Sequence, residues 1–536
     1  MKHRKSGNRS AGKAPDRRGG PAATPSPAAA PTTTPPRRPA VAVEVDPGPL
    51  RRVHALAAAA LMMVYLAVMS GHLASVDGMM MYRQAHAIVF DGSVRLRTKV
   101  WDWKGKPIAN SQYGIGQSLL YLPGLALASG LADAMPVSPE RPKKPATLYY
   151  QQLYEDPLYT FGASWIHAVI AAVAAFLVAR MTSVLGASAR ASLWALAFLG
   201  IGSLQFAYAR GDFAQPLAGL CWMAALLASL HYRDSGSRPA LWCAAAAAGY
   251  AVLVRPVEGM MLMPVALLVM LPEARTQWRD RLPLPLLALG SAAAVAVGLT
   301  LLVNWARSGT ALDFGYTDKA GWGVPEAVRV AAVLVSPARG ILWQLPAMVL
   351  VPLGVLALAR RGRLQVAQAM LGLCATMLVV TTCWHVWWGG WCWGLRIFLP
   401  AIPLLAVLAG AGVDRLGATT RRWLPGSLLA AGFVWTLPGV LTDLLAGYAQ
   451  MADGAAGAWK PAAFPPYGAW GFLKRTFAEN ATDTKAIDVL WLRLSHQTGD
   501  AILLVPVLLL ALAVALALLS RKLLLEAERA SGPTGS

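Results

Sequence analysis

The sequence predicts an all-α integral membrane protein of about twelve transmembrane helices, and three observations lead there. The 536-residue chain is 56% hydrophobic and only 14% charged, with a mean hydropathy of +0.47, a balance foreign to soluble domains of this size. Apolar runs of about 18 residues or more recur along it, the length a helix needs to cross a bilayer. Lys and Arg gather in short segments between those runs, as they do in cytoplasmic loops. The formal charge of +21 is thus divided among loops rather than collected on one face. Nucleic acid is excluded as a partner, and membrane lipids are expected.

Residues 1–52 are rich in Pro, Ala and Thr and carry eleven Lys/Arg against three acidic residues. Such a segment buries too little to fold and reads as a disordered basic tail, with its charge holding the N-terminus in the cytoplasm. The membrane domain runs over 53–520, with spans near 53–73, 162–180, 191–208, 214–231, 240–254, 259–272, 284–304, 341–359, 366–384, 396–413, 425–446 and 501–519. Residues 521–536 form a cytoplasmic C-terminal tail. Every inner loop in this register is basic: Arg180/Arg190, Arg233/Arg238, Arg275/Arg279/Arg281, Arg360/Arg361/Arg363, Arg415/Arg421/Arg422 and Arg521/Lys522. Residues 113–134 are apolar, but counting them as a crossing would invert all those loops. Gly114, Gly116, Pro123, Gly124 and Gly130 also weaken a spanning helix there. They are read as an interfacial helix within a long outer loop, 74–160, that carries the site. A second long outer loop spans 447–500. The compartment that fits is a bacterial inner membrane with both termini cytoplasmic.

Five features fall on the outer face: Asp77-Gly78; the segment from Gln112 and Tyr113 to Gln117; Arg210-Gly211-Asp212; Arg255 with Glu258; and a run from Trp384 to Arg396 containing Trp387, Trp388, Gly389, Gly390, Trp391 and Gly394. Each has a bland alternative. Asp77 could cap the following helix, Asp212 could pair with Arg210, and Arg255 with Glu258. The tryptophans could form an interfacial belt. Ionisable groups placed together at membrane depth nevertheless point to a site.

The chemistry that suits such a set is glycosyl transfer from a lipid phosphate. Arg255 and Arg396, and less directly Arg339, would hold the phosphate through their forked donors. Asp77 would act as base on the acceptor hydroxyl, and Asp212 would orient it. Tyr113, Gln117, Trp387, Trp388 and Trp391 would hold sugar or acceptor. No cofactor is certain; a divalent metal stays open. The five cysteines lack metal-ligand spacing and read as small buried hydrophobes, with pairing of Cys383 and Cys392 undecided.

Residues 53–520 resemble the GT-C superfamily of integral-membrane glycosyltransferases, nearest to bacterial relatives of the protein O-mannosyltransferase and aminoarabinose transferase group. The likeness rests on Ser75-Val76-Asp77-Gly78, Tyr113 to Gln117, Arg210-Gly211-Asp212, Ser336-Pro337-Ala338-Arg339-Gly340, and Trp387 to Trp391 with Gly394 and Arg396. It implies an inverting transferase that moves a sugar from a polyprenyl-phosphate donor to a lipid, glycan or protein acceptor, with Asp77 as the base. The family often has Asp-Glu at the first site, whereas Gly78 follows Asp77 here. A polysaccharide ligase or polymerase and a lipid-linked sugar transporter are the competing readings. The transporter is disfavoured because no paired halves appear and the polar groups fall at helix ends.

Overall fold

The computed structural model describes residues 47–73, 75–96, 100–101, 107–108, 110–132, 157–262, 265, 283–315, 321–390, 392–442, 457–460, 470–471 and 487–530. The first 46 positions of the expected tail lie outside them. The first helix, α1 (Pro47–Ala67), begins earlier than expected, at a proline whose fixed φ suits a first turn. It also stops before 73, because the chain beyond it is engaged elsewhere. Leu490 N–H donates to Met69 O at 2.8 Å, Trp491 Nε1 donates to Leu66 O at 2.9 Å, and Arg493 reaches Ser70 O.

In the first long loop, α2 (Val76–Asp91) is capped by Ser75, whose Oγ accepts Gly78 N–H at 2.8 Å. It closes at Gly92, where φ is 60° and a side chain would be strained. A short pair follows, β1 (Val100–Trp101) with β2 (Pro107–Ile108), antiparallel. Then comes α3 (Ile115–Ala132).

The bundle proper comprises α4 (Pro157–Ser164) running into α5 (Ile166–Val184), then α6 (Ala189–Gly200), α7 (Gln205–Tyr208), α8 (Gln215–Ser235) and α9 (Arg238–Val254). It continues with α10 (Pro283–Ser308), α11 (Ala327–Val335), α12 (Ile341–Gln344), α13 (Val351–Arg360), α14 (Leu364–Cys383), α15 (Ile402–Val413), α16 (Ala418–Leu441), α17 (Leu490–Thr498) and α18 (Leu504–Ala530). Among the described residues, eight helical stretches are long and apolar enough to cross a membrane by length and composition. The expected spans at 191–208 and 341–359 are interrupted. The first breaks after Gly200 and the second at Leu345-Pro346, where proline offers no N–H. Most of the expected span at 259–272 lies outside the described residues. The last helix runs to Ala530, so most of the expected C-terminal tail is helical.

Every residue of α15 is buried, as an all-round apolar helix at the centre of a bundle should be. Small residues let its neighbours close in. A methyl on Gly410 would lie 2.4 Å from Ala195, and one on Gly412 would lie 2.4 Å from Leu350 O.

Charged loops gather at two ends of the bundle. At one end, Asp414 accepts from Ser188 Oγ (2.6 Å) and Arg361 (2.7 Å), Arg363 pairs with Asp234 (2.8 Å), and Arg190 with Glu528 (2.8 Å). These are the loops expected to be inner. The expected outer segments meet elsewhere, Asp77 of α2 pairing with Arg396 and Ser75 with Asp212, and α3 packs on α9 and α4. Gly114 sits on the Leu253 and Val254 carbonyls at the end of α9, and Gly124 packs against Gly162. Midway, Tyr121 OH bonds His167 Nε2 at 2.9 Å. By length and composition α3 is among the eight, but these partners all lie near the site-bearing end.

Candidate active site

Asp77 stands in the first turn of α2, and Ser75, not Asp77, caps that helix. The carboxylate is left free to face out, where its Oδ2 meets Arg396 Nη1 at 2.5 Å, both side chains being partly exposed. Arg396 opens the 3₁₀ turn before α15. Its Nε donates to Gly389 O at 2.6 Å and its guanidinium lies 4.5 Å above the Phe213 ring. Tyr113 and Tyr208 lie within electrostatic reach of the same cation.

The loop that aims Arg396 is itself held rigid. Gly389 and Gly390 have φ of 86° and 71°, which other residues rarely adopt. Arg339 donates to Cys392 O (2.7 Å), Gly394 O (2.5 Å) and Gly390 O (3.3 Å). Gln344 Oε1 accepts Leu395 N–H at 2.9 Å, and Tyr208 OH donates to Trp393 O at 2.8 Å. Arg339 is buried among these carbonyls. All five cysteines are free thiols, Cys383 and Cys392 included.

Asp212 is buried behind Asp77, at the start of α2. Its Oδ2 accepts Ser75 N–H at 2.8 Å, and its Oδ1 has no hydrogen-bond partner among the described residues. Burial raises this carboxyl to about 6, against the hydrogen bonds from Ser75, with Asp77 adding in the same direction. The position also explains Gly78: a methyl there would come within 2.2 Å of Asp212 Oδ2. Asp212, from another segment, fills the space beside the first turn of α2. Gly78→Ala is expected to displace Asp212, lower stability by about 1–3 kcal/mol and reduce turnover, as read by thermal unfolding and transfer assays.

The Asp212 carboxyl also sets a sign for stability. Its folded value, about 6 against an ordinary 3.8, means that the folded state takes up a proton. The stabilisation is full below about pH 4 and is lost as pH rises through 6. Asp212→Asn mimics the protonated group, so its melting temperature should be flatter than wild type between pH 4 and 7.

Arg210 does not pair with Asp212, as the bland alternative had it. It is buried on Asp488, whose carboxylate also takes Arg493 and His72 Nε2, the last at 2.8 Å. Burial by itself pushes the Asp488 carboxyl up, but His72, Arg210 and Arg493 together hold it well below the ordinary range. Asp488 lies between apolar residues, Ile487 and Val489, with no motif around it. Nothing in the sequence singled it out from Asp483 or Glu479 in the same expected outer loop.

Arg255 pairs with Glu258 at 2.8 Å, and Glu258 also takes Trp222 Nε1 at 3.2 Å. The turn lies next to Tyr113-Gly114, whose glycine has no room for a Cβ against Leu253 O. Tyr113 accepts Gln112 Nε2 at 2.9 Å, while Gln117 is fully buried. Trp387 is 4% exposed and Trp388 half-buried, their rings perpendicular at 6.1 Å. Trp391 lies outside the described residues. The Phe213 face beneath Arg396 was not anticipated.

A divalent cation needs several oxygen ligands converging on one point. Among the described residues no group of three His, Cys, Asp or Glu side chains does so, and Asp77 is turned to an arginine.

No family model matches the chain, and no curated protein matches it significantly. Among solved structures it is similar to ArnT from Cupriavidus metallidurans bound to undecaprenyl phosphate. The TM-score is 0.50 at 14% identity, covering 89% of this chain and 78% of that one. The apo state of ArnT gives 0.48 at 16% identity, over 88% and 76%. The apo oligosaccharyltransferase of Archaeoglobus fulgidus gives 0.42 at 13%, over 81% of this chain and 58% of that one. At such identities the likeness is one of fold: the chain shares the multi-pass membrane architecture of that ArnT structure.

Proposed function

We propose that the protein is an inverting glycosyltransferase that takes a sugar from a polyprenyl-phosphate donor at the outer face of the membrane. The observation that carries the reading is the Asp77–Arg396 pair at 2.5 Å, a carboxylate and a guanidinium within reach of one reacting group at the end of a GT-C-type bundle. A structural neighbour is recorded with undecaprenyl phosphate bound, which supports a lipid phosphate as the donor's leaving group. With the basic loops gathered at the opposite end, the positive-inside bias puts those loops in the cytoplasm and the pair outside.

In the step proposed, the acceptor hydroxyl attacks the anomeric carbon from the face opposite the phosphate. Its proton passes to Asp77 as the new C–O bond forms. The bond from the anomeric carbon to the phosphate oxygen breaks, and the polyprenyl phosphate leaves with its charge against Arg396. Without donor, Asp77 neutralises Arg396. An arriving phosphate competes for that guanidinium and frees the carboxylate for its work as base. Arg255, partnered by Glu258, offers a second cation beside Tyr113, and Asp212 fixes the start of the helix that carries Asp77.

The test is turnover. Full-length protein in proteoliposomes, given labelled polyprenyl-phosphate sugars, should release polyprenyl phosphate and pass label to an acceptor; binding without release would instead indicate transport. Arg396→Ala should weaken donor binding by about tenfold or more, as loss of a charge-assisted pair implies. Unchanged donor affinity would remove Arg396 from the phosphate.

A further inference from the structure

An exposed aromatic surface beside this site has no part in the steps above. Residues 321–326 form an exposed stretch that pairs with the end of α14. Trp322 bridges Trp384 antiparallel, Gly323 N–H donates to Cys383 O at 2.7 Å, and His385 N–H donates to Gly321 O at 3.2 Å. The rings meet at angles. Trp322 and Trp384 are 5.1 Å apart at 61°, and Trp384 and His385 are 4.7 Å apart at 63°. Trp322 remains 56% exposed although its backbone is fixed.

We infer that Trp322, Trp384 and His385 form a stacking platform for a sugar unit of a carbohydrate acceptor; this rests on the transfer reading and narrows its acceptor to a glycan. A pyranose offers a flat face of C–H groups with hydroxyls at its edge. Aromatic faces carry negative charge density that attracts those C–H groups. The hydroxyls need polar partners alongside. Here the rim supplies His385 and the Glu326–Arg329 pair at 2.6 Å, with Arg329 also bonding Thr382 O at 3.3 Å. A tryptophan whose only task is to anchor in the bilayer gains nothing from a backbone bridge and a charged rim.

Continuity with the site places the platform. His385 begins the turn whose Trp387 is anchored in the core and whose Gly389 O accepts Arg396 Nε at 2.6 Å. His385 and Gly389 are four peptide steps apart, a span of at most about 14 Å. A stacked acceptor of a few sugar units would therefore present a hydroxyl near Asp77, on the same rigid loop that holds the phosphate-facing arginine.

The experiment uses the full chain in detergent with an array of oligosaccharides built from hexoses, pentoses and amino sugars. Fluorescence titration of wild type, Trp322→Ala and Trp322→Phe reads binding directly. Steady-state transfer reads acceptor KM and kcat separately. At least one oligosaccharide should bind wild type; Trp322→Ala should weaken it by about three- to tenfold, and Trp322→Phe should restore most of the loss. Acceptor KM should rise in parallel, with kcat and donor affinity within about twofold. Saccharide binding that is absent, or indifferent to Trp322→Ala, overturns the platform. So does quenching by brominated acyl chains in nanodiscs that disappears in Trp322→Phe, which would make Trp322 a membrane anchor. Transfer by wild type with an acceptor KM unmoved by Trp322→Ala defeats the platform alone. Trp322-dependent saccharide binding without transfer would defeat the enzyme reading and leave the platform standing.

Discussion

Asp77→Asn is expected to lower turnover by about 10²–10⁴-fold, the usual loss when a general base is removed, while folding persists. The helix cap argues for intact folding: Ser75 Oγ, not the Asp77 carboxylate, takes the Gly78 N–H, so the amide substitution leaves the start of α2 satisfied. The ion pair argues for a second effect. Asp77 is the carboxylate on Arg396, at 2.5 Å, and it competes with an arriving phosphate. Its neutralisation should tighten donor binding, so that kcat and donor Kd fall together. A purely structural role for Asp77 predicts weaker donor binding along with the loss of rate. Turnover within a few-fold of wild type would return Asp77 to a mere partner of Arg396. Arg396→Ala moves donor affinity the opposite way, so the two variants together separate base from phosphate holder.

The parts of this chain governed by bulk hydrophobicity were legible from sequence, and the parts governed by long-range pairing were not. Apolar length and loop charge placed most spans within a few residues of the helices. Ile115–Ala132, read from loop charge as interfacial, is by length and composition one of the eight stretches able to cross. The boundaries that slipped did so for tertiary reasons. The first helix ends at Ala67 because the backbone beyond it is bound by a segment more than 400 residues away, as the Trp491 bond to Leu66 shows. At the site, Asp77 and Arg396 could be named from polar residues at helix ends, but not that they touch. Gly78 read as a missing carboxylate. In space it is the room that Asp212 fills. The tryptophan run was conspicuous in sequence, yet Trp387 is core. An exposed ring beside that run is Trp322, isolated in sequence and tied to it through the bridge to Trp384.

The largest stability effect is expected at Asp488. Its carboxylate is the common partner of Arg210, Arg493 and His72, and Arg210 is buried with a side chain only 2% exposed. Arg210 also donates to the Val440 and Thr442 carbonyls, so the hub ties the end of α16 and the segment before α17 to the stretch carrying Asp212. Removing one partner of a buried pair strands the other charge without water, which typically costs about 3–5 kcal/mol. Asp488→Asn should therefore lower the melting temperature of the purified protein strongly and expose the 487–493 segment to protease. Arg210→Gln combined with Asp488→Asn should destabilise less than the two single changes added together, because the double variant leaves no buried charge unpaired there. The pH sign follows from the depressed carboxyl. Its contribution is present above the unfolded value near 4 and lost only as pH falls towards the folded one. The loss caused by Asp488→Asn should thus be the same at pH 6 and pH 8, above the interval from about pH 4 to 6 in which the contribution of Asp212 is lost. Additive single losses, or a melting temperature unmoved by Asp488→Asn, would show that the hub does not hold these segments together.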